Sequence, residues 1–260
     1  MSELEDQYKD SSNLNARSAI YRFAAGGGFG LAQVFDLMLG TITADADILE
    51  VGCGPAGMWR GNLDRVPLSW RILLTDLTAG MTKEAVNALG HDARFRVHQM
   101  DVQKLDLPDN GFDAVIANWM LYHVEDRPRA IAEIHRVLRT GGTLLAATNG
   151  SGHLGTIDAL VKEYLGEASP VKGGLAVTLE NGEAQLRPFF SGIAVHQGHG
   201  KLNITETEAV VQYVLSFNEA KREIVGERID ELRRRVANEI GATGGFVVQT
   251  HSGLFVARKA

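Results

Sequence analysis

The chain has 260 residues, 45 % of them apolar and 22 % charged, a mixture that supports a folded core and excludes an extended disordered protein. A formal net charge of -6 argues against general affinity for nucleic-acid phosphates, so a small-molecule partner and no nucleic acid are expected. With Cys53 as the only cysteine, an intrachain disulfide and a cysteine-rich zinc site are excluded. No apolar run has bilayer length and no leader of the secretory kind opens the sequence, so the expectation is a cytoplasmic protein without a membrane partner.

Taken in chain order, Asn13 to Phe23 and Gly30 to Leu39 read as helices separated by a flexible hinge, AAGGGFG, an arrangement suited to a lid. Short apolar runs at Ile48 to Val51, Arg71 to Thr75, Phe95 to Met100, Ala114 to Ala117 and Thr143 to Ala147 read as strands. Between them, Thr78 caps a helix carrying Met81, Ala85, Val86 and Leu89. Asp126 caps another, with Pro128 in its first turn and Ile131, Ile134, Val137 and Leu138 inward, and Gly141-Gly142 as its stop. Non-alternating strands that alternate with helices predict a parallel sheet covered on both faces.

Beyond Gly150 a helix runs to Leu165, followed by a hairpin over AVTLENGEAQL with Asn181-Gly182 at its turn and an extended piece at Ile193 to Val195. Thr205 and Glu208 have capping-box spacing before Val210, Val211 and Val214. A long charged helix from Ala220 to Ile240 places Val225, Ile229, Leu232 and Val236 on one face. Two strand-like runs around Ser252-Gly253 close the chain. Without internal repeats, one domain over 1–260 is expected: a helical cover at 1–45, a ligand-binding core at 46–150, and the remaining strands with helical additions at 151–260. The additions offer a dimer surface, so the assembly is expected to be a monomer or homodimer.

Gly52, Gly54 and Gly57 satisfy G-x-G-x-x-G directly after a strand, where backbone amides approach a ligand without side-chain obstruction. A dinucleotide-binding enzyme uses the same glycines, with Asp76 positioned for a ribose diol in either case. Glu50, two positions before Gly52, gives E-x-G-x-G, and an anion there suits a cationic ligand better than a pyrophosphate. Asp101-Val102 follows the third strand, FDAVIANWMLYHVED spans the fourth, and IHRVLRTGGTLLAAT supplies a helix, a double-glycine turn and the fifth strand.

With these ordered motifs, Ile48 to Thr148 resembles the class I S-adenosylmethionine-dependent methyltransferases. The resemblance implies a Rossmann-like α/β fold: a seven-stranded, mostly parallel sheet with helices on both faces, an N-terminal helical lid and a C-terminal helical insertion. It implies S-adenosyl-L-methionine as cofactor, with Gly52, Cys53 and Gly54 against its methionine and ribose parts and Asp76 on the ribose hydroxyls. Leu77 would then touch the adenine, Asp101 its exocyclic amine with the Val102 amide beside it, and the Asn118 main chain the amino group. The usual proline before the fifth strand is Thr140 here, and Met58-Trp59 follows the third glycine in place of a small residue.

Arg17 is a candidate fork for the methionine carboxylate, with a surface arginine as the alternative. The implied reaction is methyl transfer to oxygen, nitrogen or carbon of a small organic acceptor, of the kind met in secondary metabolism. Placement of the nucleophile does most of the work, and His123, in the loop after the fourth strand, is the candidate general base. Its alternative is to cap or pack the loop. Trp59, Trp119 and Tyr122 are expected to wall the acceptor. No N/D-P-P-Y/F follows the fourth strand, Cys53 sits away from the acceptor side, and no carboxylate cluster suggests a metal site. Two alternatives stay open: an NAD(P)-dependent oxidoreductase and a non-catalytic binding protein on the same fold.

Overall fold

A computed structural model describes residues 7–165, 176–216 and 228–260. The chain runs through α1 (Ser12–Ser18), a 3-10 turn (Ala19–Phe23), β1 (Ala24–Gly27), α2 (Leu31–Thr41), β2 (Ala46–Val51), α3 (Gly57–Arg60), β3 (Trp70–Asp76), α4 (Ala79–Leu89), β4 (Phe95–Gln99) and β5 (Phe112–Asn118). It continues through a second 3-10 turn (Leu121–His123), α5 (Arg127–Val137), β6 (Leu138–Asn149), α6 (Gly155–Leu165), α7 (Gly182–Leu186), β7 (Ser191–Ile204), α8 (Thr207–Leu215), α9 (Ile229–Thr243) and β8 (Phe246–Arg258). The eight strands have the hydrogen-bonded order β1-β7-β8-β6-β5-β2-β3-β4, one strand more than expected. No helix among the described residues is long and apolar enough to cross a membrane.

The contacts divide the chain into two units, a larger one of 29–150, 176–197 and 252–260 and a smaller one formed by the described residues of 1–28, 151–175 and 198–251. In the larger unit β2 lies centrally, parallel to β3 and β5, with β4 parallel to β3 and β6 parallel to β5. Residues 252–258 of β8 pair antiparallel with β6. The central strands are buried because both faces are covered. Leu49, Val51, Val115 and Leu144 pack with Ile131 and Ile134 of α5, while Ile48, Ile116 and Leu145 pack with Phe35 and Met38 of α2 and Ala85 of α4.

Asp126 caps α5 as expected, accepting the Arg129 N–H at 3.1 Å. The helix stops at Val137, however, and β6 begins at Leu138, so Gly141-Gly142 lie inside the strand. Gly141 has φ 77° and a Cβ on Gly142 would stand 2.8 Å from the Arg139 carbonyl; the glycines therefore serve an irregularity in the strand. The last carbonyls of α5 are held instead by Lys259, whose ammonium donates to those of His135 and Leu138 at 2.7 Å and to Asn110 Oδ1 at 2.9 Å. Lys259→Met keeps the aliphatic stem but orphans these acceptors, and urea unfolding is expected to show a loss of about 1–3 kcal/mol.

Two further expectations are corrected in this region. Asn181-Gly182 opens α7, with Asn181 Oδ1 accepting the Thr178 N–H at 2.8 Å, and is no hairpin turn. A Cβ on Gly182 would meet the Phe255 ring at 2.6 Å, so close packing explains the glycine. Ser252-Gly253 lies within the continuous strand β8, because its ladder with β6 runs through both residues.

In the smaller unit the AAGGGFG segment is no hinge: Ala24–Gly27 forms β1, antiparallel to β7, with Gly27 opposite Gly200. A Cβ on Gly27 would lie 2.5 Å from the His199 carbonyl, too close for any other residue. The core joins Ile20, Leu154, Ile157 and Leu202 with Val210 and Val214 of α8 and Leu232 and Val236 of α9. Helix α8 starts after Glu206 without a side-chain cap, so the Thr205 to Glu208 box does not form. The expected helix from Ala220 is described from Ile229 onward; Val225 lies outside the described residues.

Candidate functional site

The C-terminal ends of β2, β3 and β5, with the turn after β4, carry the cluster that the glycine motif announced, all of it in the larger unit. After β2 the backbone reverses through Gly52 at φ 65°, Gly54 at φ 55° and Ala56 at φ 56°. Glycine makes the first two turns cheap, and the left-handed Ala56 precedes α3. The Cys53 N–H donates to the Thr75 carbonyl and the Gly54 N–H to Asp76 Oδ2, both at 3.0 Å. Asp76 Oδ1 accepts the Thr78 amide at 3.0 Å and its hydroxyl at 3.1 Å, so one carboxylate organises both the glycine loop and the entry to α4.

Asp101 is held in a similar way, accepting the Gln103 amide at 2.8 Å and its side-chain Nε2 at 3.1 Å. Gln103 Oε1 in turn accepts the Asp126 N–H at 2.9 Å. Val102 beside Asp101 is buried, whereas Leu77 after Asp76 is 37 % exposed.

Glu50 is the electrostatic centre. It is 3 % exposed, its Oε1 accepts from Asn118 Nδ2 at 3.0 Å and its Oε2 from Trp59 Nε1. Burial pushes its carboxyl up to about 8, the two donated hydrogen bonds pull against that, and the nearby Asp76 charge adds to the rise. Burial also pushes the Cys53 thiol well up. The remaining atom of this constellation is Asn118 Oδ1, a buried acceptor with no hydrogen-bond partner among the described residues. A buried acceptor left unsatisfied costs stability, so it marks where a donor is wanted.

Trp59 requires a correction. It is fully buried, edge-on to Phe35 and Phe95 at 6.2 and 5.5 Å between ring centres, and its indole N–H is committed to Glu50. It buttresses Glu50 from inside the core, which removes it from any acceptor wall. Trp119 sits in left-handed backbone, φ 50°, with its amide on the Ala147 carbonyl at 3.0 Å and its indole N–H on Asn149 Oδ1 at 2.9 Å. Met120 follows and lies over the glycine loop: a Cβ on Gly52 would be 2.7 Å from Met120 Cβ. Tyr122 is half-buried, its ring 4.5 Å from that of His123, which is exposed on the second 3-10 turn.

The structure therefore gathers Glu50, Gly52, Cys53, Gly54, Asp76 and Asn118 around one loop, with Asp101, Val102, Leu77 and the Trp119 to His123 segment on neighbouring strand ends. Arg17 belongs to the smaller unit, where its guanidinium donates to Tyr8 Oη at 3.1 Å and to the Ser216 carbonyl at 3.4 Å. The Asn118 side chain, the Trp59 buttress and Gln103 behind Asp101 had no sequence signal of their own, because each acts through a partner distant in the chain.

Chemically, three carboxyl groups and an unsatisfied amide oxygen border a backbone stripped of side chains. Such a set fits a ligand rich in N–H and O–H donors and carrying positive charge, and opposes a diphosphate.

Comparison with known proteins agrees. Residues 49–146 match the model of a methyltransferase domain. An uncharacterized methyltransferase of Mycobacterium bovis is 27 % identical over 162 residues, covering 58 % of this chain and 80 % of that protein. A ubiquinone/menaquinone biosynthesis C-methyltransferase of Hahella chejuensis is 28 % identical over 137 residues, 52 % of this chain and 55 % of its own. Among solved structures, the phosphoethanolamine N-methyltransferase 2 of Haemonchus contortus shares the fold with a TM-score of 0.62 and 21 % identity, over 100 % of this chain and 61 % of that one. Residues 49–146 thus match a methyltransferase domain, and their ordered motifs and strand order are similar to those of the class I S-adenosylmethionine-dependent methyltransferases.

Proposed function

We propose that the protein transfers a methyl group from S-adenosylmethionine to an oxygen, nitrogen or carbon atom of a small organic molecule. The observation that carries this reading is the unsatisfied Asn118 Oδ1 beside buried Glu50, at the mouth of the glycine loop. It asks for a cationic N–H donor, which the amino group of the cofactor's methionine part supplies.

Gly52, Cys53 and Gly54 would hold the methionine and ribose parts against bare backbone, and Asp76 keeps lone pairs for the ribose hydroxyls beside those it spends on Gly54 and Thr78. Asp101 and the Val102 amide would receive the adenine edge, with Leu77 offering an apolar face. When bound, the cofactor supplies a methyl group on positively charged sulfur, whose leaving group is a neutral thioether. This chain's own residues then need only to orient the acceptor, exclude water and, for a poor nucleophile, remove a proton. Trp119 and Tyr122 are the proposed wall of the acceptor, and His123 on the adjoining turn the proposed proton acceptor. The Hahella chejuensis relative is named for C-methylation and the Haemonchus contortus protein for N-methylation; both support a small acceptor, and they differ in the atom methylated.

Calorimetric titration with S-adenosylhomocysteine tests the first half. Binding is expected, and none is expected for NADH; the reverse result would turn the reading toward an oxidoreductase. Asp76→Asn is expected to weaken the interaction by about 1–3 kcal/mol, since an amide replaces a charge-assisted acceptor. For His123, isotope-labelled methyl transfer into metabolite extracts supplies an acceptor, after which His123→Ala is expected to lower turnover by about a hundredfold with unchanged S-adenosylhomocysteine affinity. Undiminished turnover removes the base role.

A further inference from the structure

Gln103, half-buried in the larger unit, ties Asp101 to a helix that starts 23 positions further on. Its main-chain N–H donates to Asp101 Oδ1 at 2.8 Å, and its side-chain Nε2 stands 3.1 Å from both Asp101 oxygens. Its Oε1 accepts the Asp126 N–H at 2.9 Å. The two ends settle which way round the amide lies. A carboxylate accepts and a backbone N–H donates, so a flipped amide would lose both bonds and set oxygen against oxygen.

Helix α5 explains one half of this arrangement. Asp126 caps the helix by accepting the Arg129 N–H, and in a full capping box a Glu or Gln at the position of Arg129 would accept the Asp126 N–H in return. A guanidinium has no acceptor, so Gln103 supplies one from outside the helix. The chain beyond Gln103 is fastened to the same helix. The Leu105 N–H donates to Glu133 Oε2 at 2.9 Å, and the Arg136 guanidinium donates to the Leu105 and Leu107 carbonyls at 2.8 and 2.7 Å. Capping, however, needs only the Gln103 oxygen. The nitrogen astride Asp101 has no part in it.

What that nitrogen does follows from the geometry of a carboxylate, which has about four lone-pair sites. Nε2, equidistant from the two oxygens, lies against the inner pair, and the Gln103 amide takes the outer site of Oδ1. The outer site of Oδ2 is left without a partner among the described residues. A carboxylate free to turn could swing away from a carbonyl oxygen or toward a ring N–H. Held at both oxygens, Asp101 offers one fixed acceptor. An exocyclic amine satisfies it, whereas a carbonyl oxygen in the same place meets it lone pair to lone pair.

We propose that Gln103 is a positioning residue that sets base specificity: by holding the Asp101 carboxylate in one orientation, it makes the nucleoside pocket select a 6-aminopurine over a 6-oxopurine. The inference rests on the reading of Asp101 as the acceptor for the adenine amine.

Calorimetric dissociation constants at pH 8 for S-adenosylhomocysteine and for S-inosylhomocysteine, which carries a carbonyl oxygen in place of the amine, test it. The unaltered protein is expected to favour the adenine compound by at least about a hundredfold. Gln103→Met keeps the side-chain length without either polar atom, and the preference should fall to within about tenfold. Gln103→Glu keeps an oxygen for Asp126 but faces Asp101 with a like charge, and the preference should fall as far. A residue that only completed the cap of α5 would lower the melting temperature of the Met variant, spare the Glu variant and leave the base preference of both unchanged. A preference retained in either folded variant therefore overturns the proposal, and the Glu variant decides where the Met variant fails to fold. Equal binding of the two nucleosides by the unaltered protein overturns it as well. In both results S-adenosylhomocysteine still binds and the methyl-transfer reading stands; absence of that binding removes the two together.

Discussion

Glu50→Gln is expected to make the ligand-free protein more stable at pH 8 while weakening S-adenosylhomocysteine binding by at least about tenfold. The two effects have one cause. Burial raises the Glu50 carboxyl from 4.5 to about 8, so between those values the folded state holds a proton that the unfolded chain has released. Stability contributed by this group is therefore present below pH 4.5 and lost as pH rises toward 8. Glutamine has no proton to lose, and its advantage grows across the same window to a few kcal/mol. The flexible amide of Asn118 can turn its Oδ1 toward the new Nε2, so the pair stays satisfied. Binding moves the other way, because the ionised carboxylate is the form that attracts a cationic amino group. For the unaltered protein, affinity for S-adenosylhomocysteine should accordingly climb from pH 6 to pH 8, while the Glu50→Gln variant shows a flat profile. Thermal melts and calorimetry at those pH values check both signs; a variant that is destabilised at pH 8 would refute the assignment of the buried proton to Glu50.

Gly52→Ala is expected to abolish measurable cofactor binding, a loss of at least about a hundredfold, and to destabilise the protein by about 1–3 kcal/mol. Two independent penalties meet at this residue. Its φ of 65° lies in the left-handed region, and a Cβ there would stand 2.7 and 2.8 Å from Met120 Cβ and Cγ. Only the second is steric crowding by a side chain. Gly52→Ala combined with Met120→Ala removes Met120 Cγ from the clash but keeps the Cβ contact and the backbone strain, so it should recover stability in part while binding stays weak. Full recovery of S-adenosylhomocysteine affinity in the double variant would show that the loop's dihedral angles matter less than Met120. No change in either property would remove Gly52 from the binding loop.

How much of this was readable from the sequence depends on what kind of force builds each part. Strands β2, β3, β5 and β6 are largely buried, and burial writes itself into composition as runs of Val, Ile, Leu and Ala. Asp126 was legible as a cap because its side chain bonds its own helix three residues on. Strand β1 was not, since it is held by main-chain pairing of small residues, and Gly27 reads as freedom where the close approach to β7 makes it a constraint. The same ambiguity misled at Gly141-Gly142, Gly182 and Gly253: a glycine signals either a turn or a near neighbour, and only the neighbour distinguishes them. Within the candidate site, the strand-end carboxylates were visible through their spacing. The bond between Glu50 and Asn118 spans 68 positions, and the burial of Trp59 depends on Phe35 and Phe95, so neither leaves a local pattern.

The position of Cys53 has a practical consequence. It is the chain's only thiol, it sits in the middle of the glycine loop, and burial holds it in the unreactive protonated form. A maleimide or disulfide reagent can modify it only during moments when the loop opens, so the labelling rate is a clock for that opening. Slower labelling as a nucleoside is added would report occupancy in a crude lysate, with no turnover assay and no knowledge of the methyl acceptor.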